Sequence, residues 1–140
     1  MHAESNIIMI AWTPALSVGI AEIDAQHKTF IDAITDIKSA IETSAGPEVV
    51  GAVLMKLYGY AHFHFAVEEK YFVVFNFPGA PSHVAEHRAF TDRVTDFRRR
   101  HEMKHDVKAE VAVFMFEWLV NHIEHTYRQY IGCFKEHGLH

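Results

Sequence analysis

Apolar side chains recur along this chain at three- and four-residue steps, the spacing that places them on one face of an α-helix. Ile20, Ile23, His27, Phe30, Ile31, Ile34, Ile37 and Ile41 form the first such stripe, with Glu22, Asp24, Lys28, Asp32, Asp36 and Lys38 between them. Gly46-Pro47 closes this helix and opens the next. The second predicted helix runs from about Glu48 to Phe75 and aligns Val50, Val53, Leu54, Leu57, Ala61, His64, Glu68, Phe72 and Phe75. Asn76-Phe-Pro-Gly-Ala-Pro81 reads as a turn, with Ser82 as N-cap of a third helix. That helix turns His83, His87, Phe90, Val94 and Phe97 inward, and the polar run Arg98 to Asp106 reads as its fraying end and a loop. The fourth helix is predicted over about Val107 to Phe134, with Val111, Phe114, Met115, Trp118 and His122 inward. Ahead of the first helix, Trp12-Thr-Pro14 reads as an extended arm, because proline disfavours helix in the residue before it.

Four helices with short joins predict an all-α fold, an up-down-up-down antiparallel four-helix bundle. The expected organisation is one domain over residues 1–140, with an N-terminal arm over 1–19 and the bundle over 20–136. No strand-like alternation and no low-complexity stretch competes with this reading.

Composition narrows the function. The formal net charge is −5 with histidines neutral, which argues against nucleic acid as a partner. No run approaches the ~20 apolar residues of a membrane span, and Ile7-Ile8-Met9-Ile10-Ala11-Trp12 is shorter than a signal-peptide core and lacks a basic lead. The lone Cys133 excludes an internal disulfide and fits a reducing compartment, so the expected location is cytoplasmic. Twelve histidines in 140 residues is the feature that changes the picture.

Several of those histidines fall on the apolar stripes. His64 and Glu68 are four residues apart within the mostly apolar run Tyr60 to Phe77, and His83 and His87 repeat the spacing. A four-residue step turns about 400°, so each pair shares a helix face. Imidazole and carboxylate in that arrangement can grip one cation or two adjacent ones. With His27 and His122, every predicted helix carries a histidine where a core residue belongs. A single one would be read as a satisfied core histidine; five, with a glutamate, point to a metal.

The residues that carry this pattern resemble a known family, the hemerythrins, and among them the single-domain bacteriohemerythrins. Trp12-Thr-Pro-Ala-Leu-Ser-Val-Gly-Ile20 is similar to that family's N-terminal arm. Ile23-Asp-Ala-Gln-His27, His64-Phe-Ala-Val-Glu68, His83-Val-Ala-Glu-His87 and Trp118-Leu-Val-Asn-His122 are similar to its four ligand motifs. The resemblance implies two iron ions in an oxo- or hydroxo-bridged di-iron centre, with His83, His87 and His122 on one iron, His27 and His64 on the other, and Glu68 bridging them. It implies binding of O2, or another small diatomic ligand, at the open position of the second iron. Apolar side chains that exclude water would suit such a ligand. Phe30, Ile31, Phe65, Phe72, Trp118 and Leu119 are the candidates for that wall, and plain core packing accounts for them equally well.

One position departs from the family pattern. A second bridging aspartate is expected five residues after the last ligand histidine, and here that residue is Tyr127. A five-residue step leaves the face of a regular α-helix and keeps it if the helix carries a π-type bulge. With the bulge, Tyr127 faces the metals, and its phenolate could bind one iron. Without it, His125 or Thr126 faces in. His2, His62, His101, His105, His137 and His140 read as solvated, and Glu69 and Glu86 as surface groups or partners of the ligands. Three functions follow: an O2-binding protein for carriage, storage or sensing; a di-iron oxidase, peroxidase or nitric-oxide-handling enzyme of the same fold; or a metal-binding bundle without gas chemistry.

Overall fold

The computed structural model describes residues 12–122 and 127–140, with the backbone alone for Ala15, Tyr127 and Arg128. The described residues are helical, with no strand among them. A short 3-10 turn over Pro14–Leu16 precedes α1 (Ala21–Glu42), α2 (Pro47–Val74), α3 (Ala80–Glu102), α4 (Lys108–Asn121) and α5 (Tyr127–Glu136). Helix α2 packs against α1 and α3, and α1 packs against α4. Phe90 of α3 meets Phe114 and Trp118 of α4 at ring separations of 5.0 and 4.7 Å. Among the described residues no helix is long and apolar enough to cross a membrane.

The arm enters along α1. Thr13 is extended, with φ −136° and ψ 159°. Ser17 Oγ donates to Asp24 Oδ2 at 2.5 Å and the Val18 N–H to Asp24 Oδ1 at 2.9 Å, so one carboxylate near the start of α1 holds the incoming chain. Trp12 and Leu16 pack against the core, and Lys28 Nζ lies 5.0 Å above the Trp12 ring.

Three helix boundaries differ from those expected. Helix α3 begins at Ala80 after Gly79, not at Ser82, because Pro81 tolerates the first turn, where its missing N–H is no loss. The same helix runs through the basic run to Glu102 rather than fraying at Arg98. Asp96 pairs with Arg99 at 2.6 Å and Arg100 at 3.1 Å, and Arg100 reaches Glu110 at 2.5 Å, while the cations complement the negative helix end. The fourth predicted helix is seen as α4 and α5, with residues 123–126 outside those described. Helices α1, α2 and α3 each stop at a left-handed residue that is not glycine: Ser44 (φ 50°), Asn76 (φ 51°) and Lys104 (φ 69°). In each, the next N–H reaches back five residues: Ala45 to Ala40, Phe77 to Phe72, His105 to Arg100. This is the Schellman stop.

Two apolar clusters fill the interior. The larger contains Phe30, Ile34, Leu57, Phe65, Phe90 and Met115; the smaller contains Ile20, Ile23, Phe72, Tyr130 and Phe134. Rings of both clusters lie against the buried histidines, so the polar centre sits between them.

Candidate metal centre

Each helix from α1 to α4 delivers part of one buried polar cluster: His27 from α1, His64 and Glu68 from α2, His83 and His87 from α3, and His122 where α4 ends. All six are 3 % exposed or less. They occupy stripe positions that would otherwise hold aliphatic side chains, so the packing that folds the helices also drives these groups inward. Burying them without compensation is unfavourable.

The two oxygens of Glu68 face different histidines. Oε2 lies 3.4 Å from His64 Nε2 and 3.6 Å from His122 Nε2, and Oε1 lies 3.0 Å from His87 Nε2. His64 Nε2 and His122 Nε2 are 3.3 Å apart. One nitrogen from each of His27, His64 and His122 falls within a 4.8 Å cluster, a set that could hold a cation.

Electrostatics prepares these groups as donors. Burial pushes the His27 imidazole well below its ordinary pKa, and the neighbouring His64 and His122 push the same way. Burial also lowers His83 and His122. Each of these shifts favours the neutral ring, the form that binds metal. Burial alone would raise the Glu68 carboxyl, but His64 and His122 outweigh it and hold Glu68 well below the usual range, as a carboxylate. His87 is opposed by burial yet raised by Glu68 and Glu69 on either side of its ring.

Neighbours fix the ring orientations. Gln26 Oε1 contacts His64 Nδ1, and Glu69 Oε2 lies 2.8 Å from His87 Nδ1. An acceptor on Nδ1 selects the tautomer with Nε2 free to donate its lone pair inward. Three aromatic rings stack on three imidazoles: Tyr60 on His64 at 4.9 Å, Trp118 on His122 at 4.9 Å and Phe65 on His87 at 3.9 Å. From the smaller cluster, the buried Tyr130 hydroxyl donates to Glu68 Oε2.

A cation suits this donor set. Glu68 Oε1 and His87 Nε2 are buried and face each other at 3.0 Å without hydrogen-bond geometry, and both ring nitrogens of His83 are buried without a well-formed hydrogen bond among the described residues. Poorly satisfied polar atoms at such density suit a bound cation. Imidazole nitrogens with a carboxylate suit iron and related transition metals.

Comparison with known proteins agrees. Residues 18–132 match the model of the hemerythrin HHE cation binding domain. The chain belongs to the hemerythrin family. It is 30 % identical to a bacteriohemerythrin of Stenotrophomonas maltophilia over 129 residues, covering 92 % of this chain and 84 % of that protein. A bacteriohemerythrin of Methylococcus capsulatus is 30 % identical over 129 residues, covering 89 % and 96 %. A hemerythrin-like protein of Naegleria gruberi is 29 % identical over 121 residues, covering 86 % and 90 %.

The six residues singled out from the hemerythrin motifs lie together, and three of the histidines divide between the two oxygens of Glu68, His64 and His122 at Oε2 and His87 at Oε1. The wall residues divide as well. Phe30, Ile31, Phe65 and Leu119 belong to the larger cluster, with Trp118 packed on it, whereas Phe72 belongs to the smaller one, 5.5 Å from His83. The backbone is π-helical at His122, while His125, Thr126 and the Tyr127 side chain lie outside the described residues. Glu69 holds His87, and Glu86 lies 3.6 Å from His83 Nδ1.

Sequence reading missed Gln26, Tyr60 and Tyr130. Gln26 directly precedes His27 and so falls off its helix face. Tyr60 stands one turn before His64 and could have been found by that spacing. Tyr130 and Phe134 form their own four-residue pair, a signal that was legible only as core.

Proposed function

We propose that this chain is a non-haem di-iron protein that binds O2 or another small diatomic ligand, for carriage, storage or sensing. The observation that carries this reading is Glu68, whose two oxygens address different histidines in a buried cluster of poorly satisfied polar atoms. Two iron ions would be held by His27, His64, His83, His87 and His122, with Glu68 between them. Iron supplies the reversible one-electron chemistry and the affinity for small ligands. The protein's own part is to bind, orient and exclude water. Gln26 and Glu69 keep His64 and His87 in the donating tautomer, the stacked rings of Tyr60, Phe65 and Trp118 fix the imidazole planes, and Phe30, Ile31, Leu119 and Phe72 keep the surroundings apolar. The reading treats residues 1–140 as a single hemerythrin-like domain in the cytosol, with α1 to α4 running up-down-up-down and α5 continuing the fourth helix.

A second reading rests on Tyr127, which stands where the family pattern expects a second bridging carboxylate. A site short of one carboxylate has a more open coordination sphere, which favours a di-iron oxidase, peroxidase or nitric-oxide-handling enzyme. The test is metal analysis with an optical spectrum of the reduced protein before and after air. A stable, reversible adduct supports O2 binding. Rapid oxidation without an adduct supports the enzyme. A colourless, zinc-loaded protein supports a metal-binding bundle without gas chemistry. Tyr127→Phe adds a direct check: a broad visible band of the ferric protein that vanishes in this variant identifies the phenolate as an iron ligand.

A further inference from the structure

Helix α2 carries large apolar side chains on its outer face as well as its inner one, with Glu48, Lys56, His62 and Lys70 among them. Val53, Leu57, Ala61, His64, Glu68 and Phe72 face the core. On the opposite side Met55 is 65 % exposed, Phe63 67 %, Val73 81 % and Val74 63 %. Ala52, Gly59 and Ala66, seven residues apart, are exposed between them. A surface helix ordinarily turns polar residues outward. Six of the nine large hydrophobic side chains exposed among the described residues lie on this one helix.

We propose that this face is the interface of a two-fold symmetric dimer, in which α2 packs antiparallel on α2 of a second copy. Three features of the stripe select that occupant. The first is its self-complementary shape. In an antiparallel pair centred near Ala61, Phe63 of one copy lies over Gly59 of the other, Met55 over Ala66, and Val49 beside Val74. A Cβ added at Gly59 would meet nothing within 4 Å, so the position is an open hole for an incoming ring. The second feature is charge. The antiparallel arrangement brings Lys70 of each copy beside Ala52 and within a turn of Glu48 on the partner, whereas a parallel one would set Lys70 against Lys70. It also opposes the two helix dipoles. The third is area. The exposed apolar side chains on this face present roughly 500 Å² per protomer, at the upper end of what a monomer leaves in one patch. With Ala52, Gly59, Ala66 and the lysine stems this reaches the ~800 Å² per partner of a standard-sized interface. The outer face of α2 lies away from the metal cluster, so the proposal is independent of which metal the protein binds.

Sedimentation velocity on the full chain over two decades of concentration tests it. A reversible monomer–dimer equilibrium is expected. Phe63→Glu should raise the dimer Kd on the order of a hundredfold, because it sets a buried, unpaired carboxylate against Gly59 of each partner. Val113→Glu, at an exposed apolar position on α4, should leave the Kd unchanged. Circular dichroism checks that both variants fold. A second arm does not depend on Phe63→Glu folding. In a Cys133→Ser background, chains carrying Gly59→Cys mixed with chains carrying Phe63→Cys should form a disulfide-linked heterodimer on mild oxidation, and Val113→Cys should not. A monomer at every concentration overturns the proposal. So does a dimer that Phe63→Glu leaves intact, or one that cross-links through Val113→Cys and not through the α2 pair.

Discussion

Removing one oxygen from Tyr130 probes a contact between the C-terminal helix and the buried polar cluster. In Tyr130→Phe the ring keeps its packing against Phe134 at 4.8 Å and against Phe72 and His83, each at 5.2 Å, so the void left is no larger than a hydroxyl. What is lost is an O–H donated to Glu68 Oε2, an acceptor held ionised and fully buried. A hydrogen bond to a charged group contributes roughly 1.5–3 kcal/mol net. His64 and His122 remain within 3.6 Å of the same oxygen, so the low end applies, about 1.5–2 kcal/mol. For a chain of this size that lowers Tm by roughly 5–8 °C. In the iron-loaded protein the carboxylate shares its charge with the cations, and the bond falls towards the neutral value of about 1 kcal/mol. Differential scanning calorimetry of parent and variant, each metal-free and iron-loaded, separates the two cases. The drop should be about twice as large without metal as with it. Equal melting of parent and Tyr130→Phe in the metal-free protein would refute the reasoning, since the hydroxyl would then contribute nothing to holding Glu68.

Anaerobic reconstitution should load two irons per chain, and Glu68→Ala or His64→Ala should reduce that number, as read by metal analysis. Stripping the metal should lower Tm, because imidazoles and a carboxylate are then left in an apolar core; equal midpoints would count against a metal site. Glu69→Gln should weaken iron binding by roughly 10–100-fold, because a weaker acceptor orients His87 less firmly, and chelator competition measures it. Acid should destabilise the metal-free protein. His27, His83 and His122 have pKa values lowered in the fold, so the unfolded chain takes up protons first as pH falls below about 6.5. His87 is raised and opposes this, but it is one ring against three. Chemical denaturation of the metal-free protein at neutral and mildly acidic pH should therefore show lower stability in acid.

The helix stripes were legible because burial follows them closely. All seven positions from Ile20 to Ile37 in the first stripe are buried, and so are His83, His87, Phe90, Val94 and Phe97 in the third. The six polar members of the centre were legible for the same reason, being charged or polar types on apolar stripes. What failed was local chemistry that does not show in periodicity. The ends of α1, α2 and α3 use Ser44, Asn76 and Lys104 where glycine is the expected signal, so only the structure reveals the stop. The Arg98 to Asp106 run read as a fraying end and a loop because it is polar, whereas its first turn is held helical by pairs to Asp96 on α3 and Glu110 on α4. The outer face of α2 was invisible in a search for inward stripes, because a helix with apolar side chains on both faces has weak periodicity.

Charge explains why the position of Tyr127 matters beyond a single ligand. Two divalent cations would bring four positive charges into a core whose ionised acceptor is Glu68. Glu68 leaves three of those charges unbalanced, and a second carboxylate, where the hemerythrin pattern has one, would remove one more; the sequence has Tyr127 at that pattern position instead. Uncompensated charge in an apolar interior is costly enough that it does not persist. The histidines cannot supply the balance, since a neutral imidazole carries no negative charge. Tyr130 cannot supply it while it donates its proton to Glu68. The missing negative charge must then come from solvent, from an added anion or from a phenolate at Tyr127. A tightly held anion would compete with a neutral diatomic ligand for the open position, while a phenolate ligand would leave that position accessible. The source of that charge would separate the O2-binding reading from the enzymatic one, and the ferric spectra of Tyr127→Phe and Tyr127→Asp test whether Tyr127 is that source.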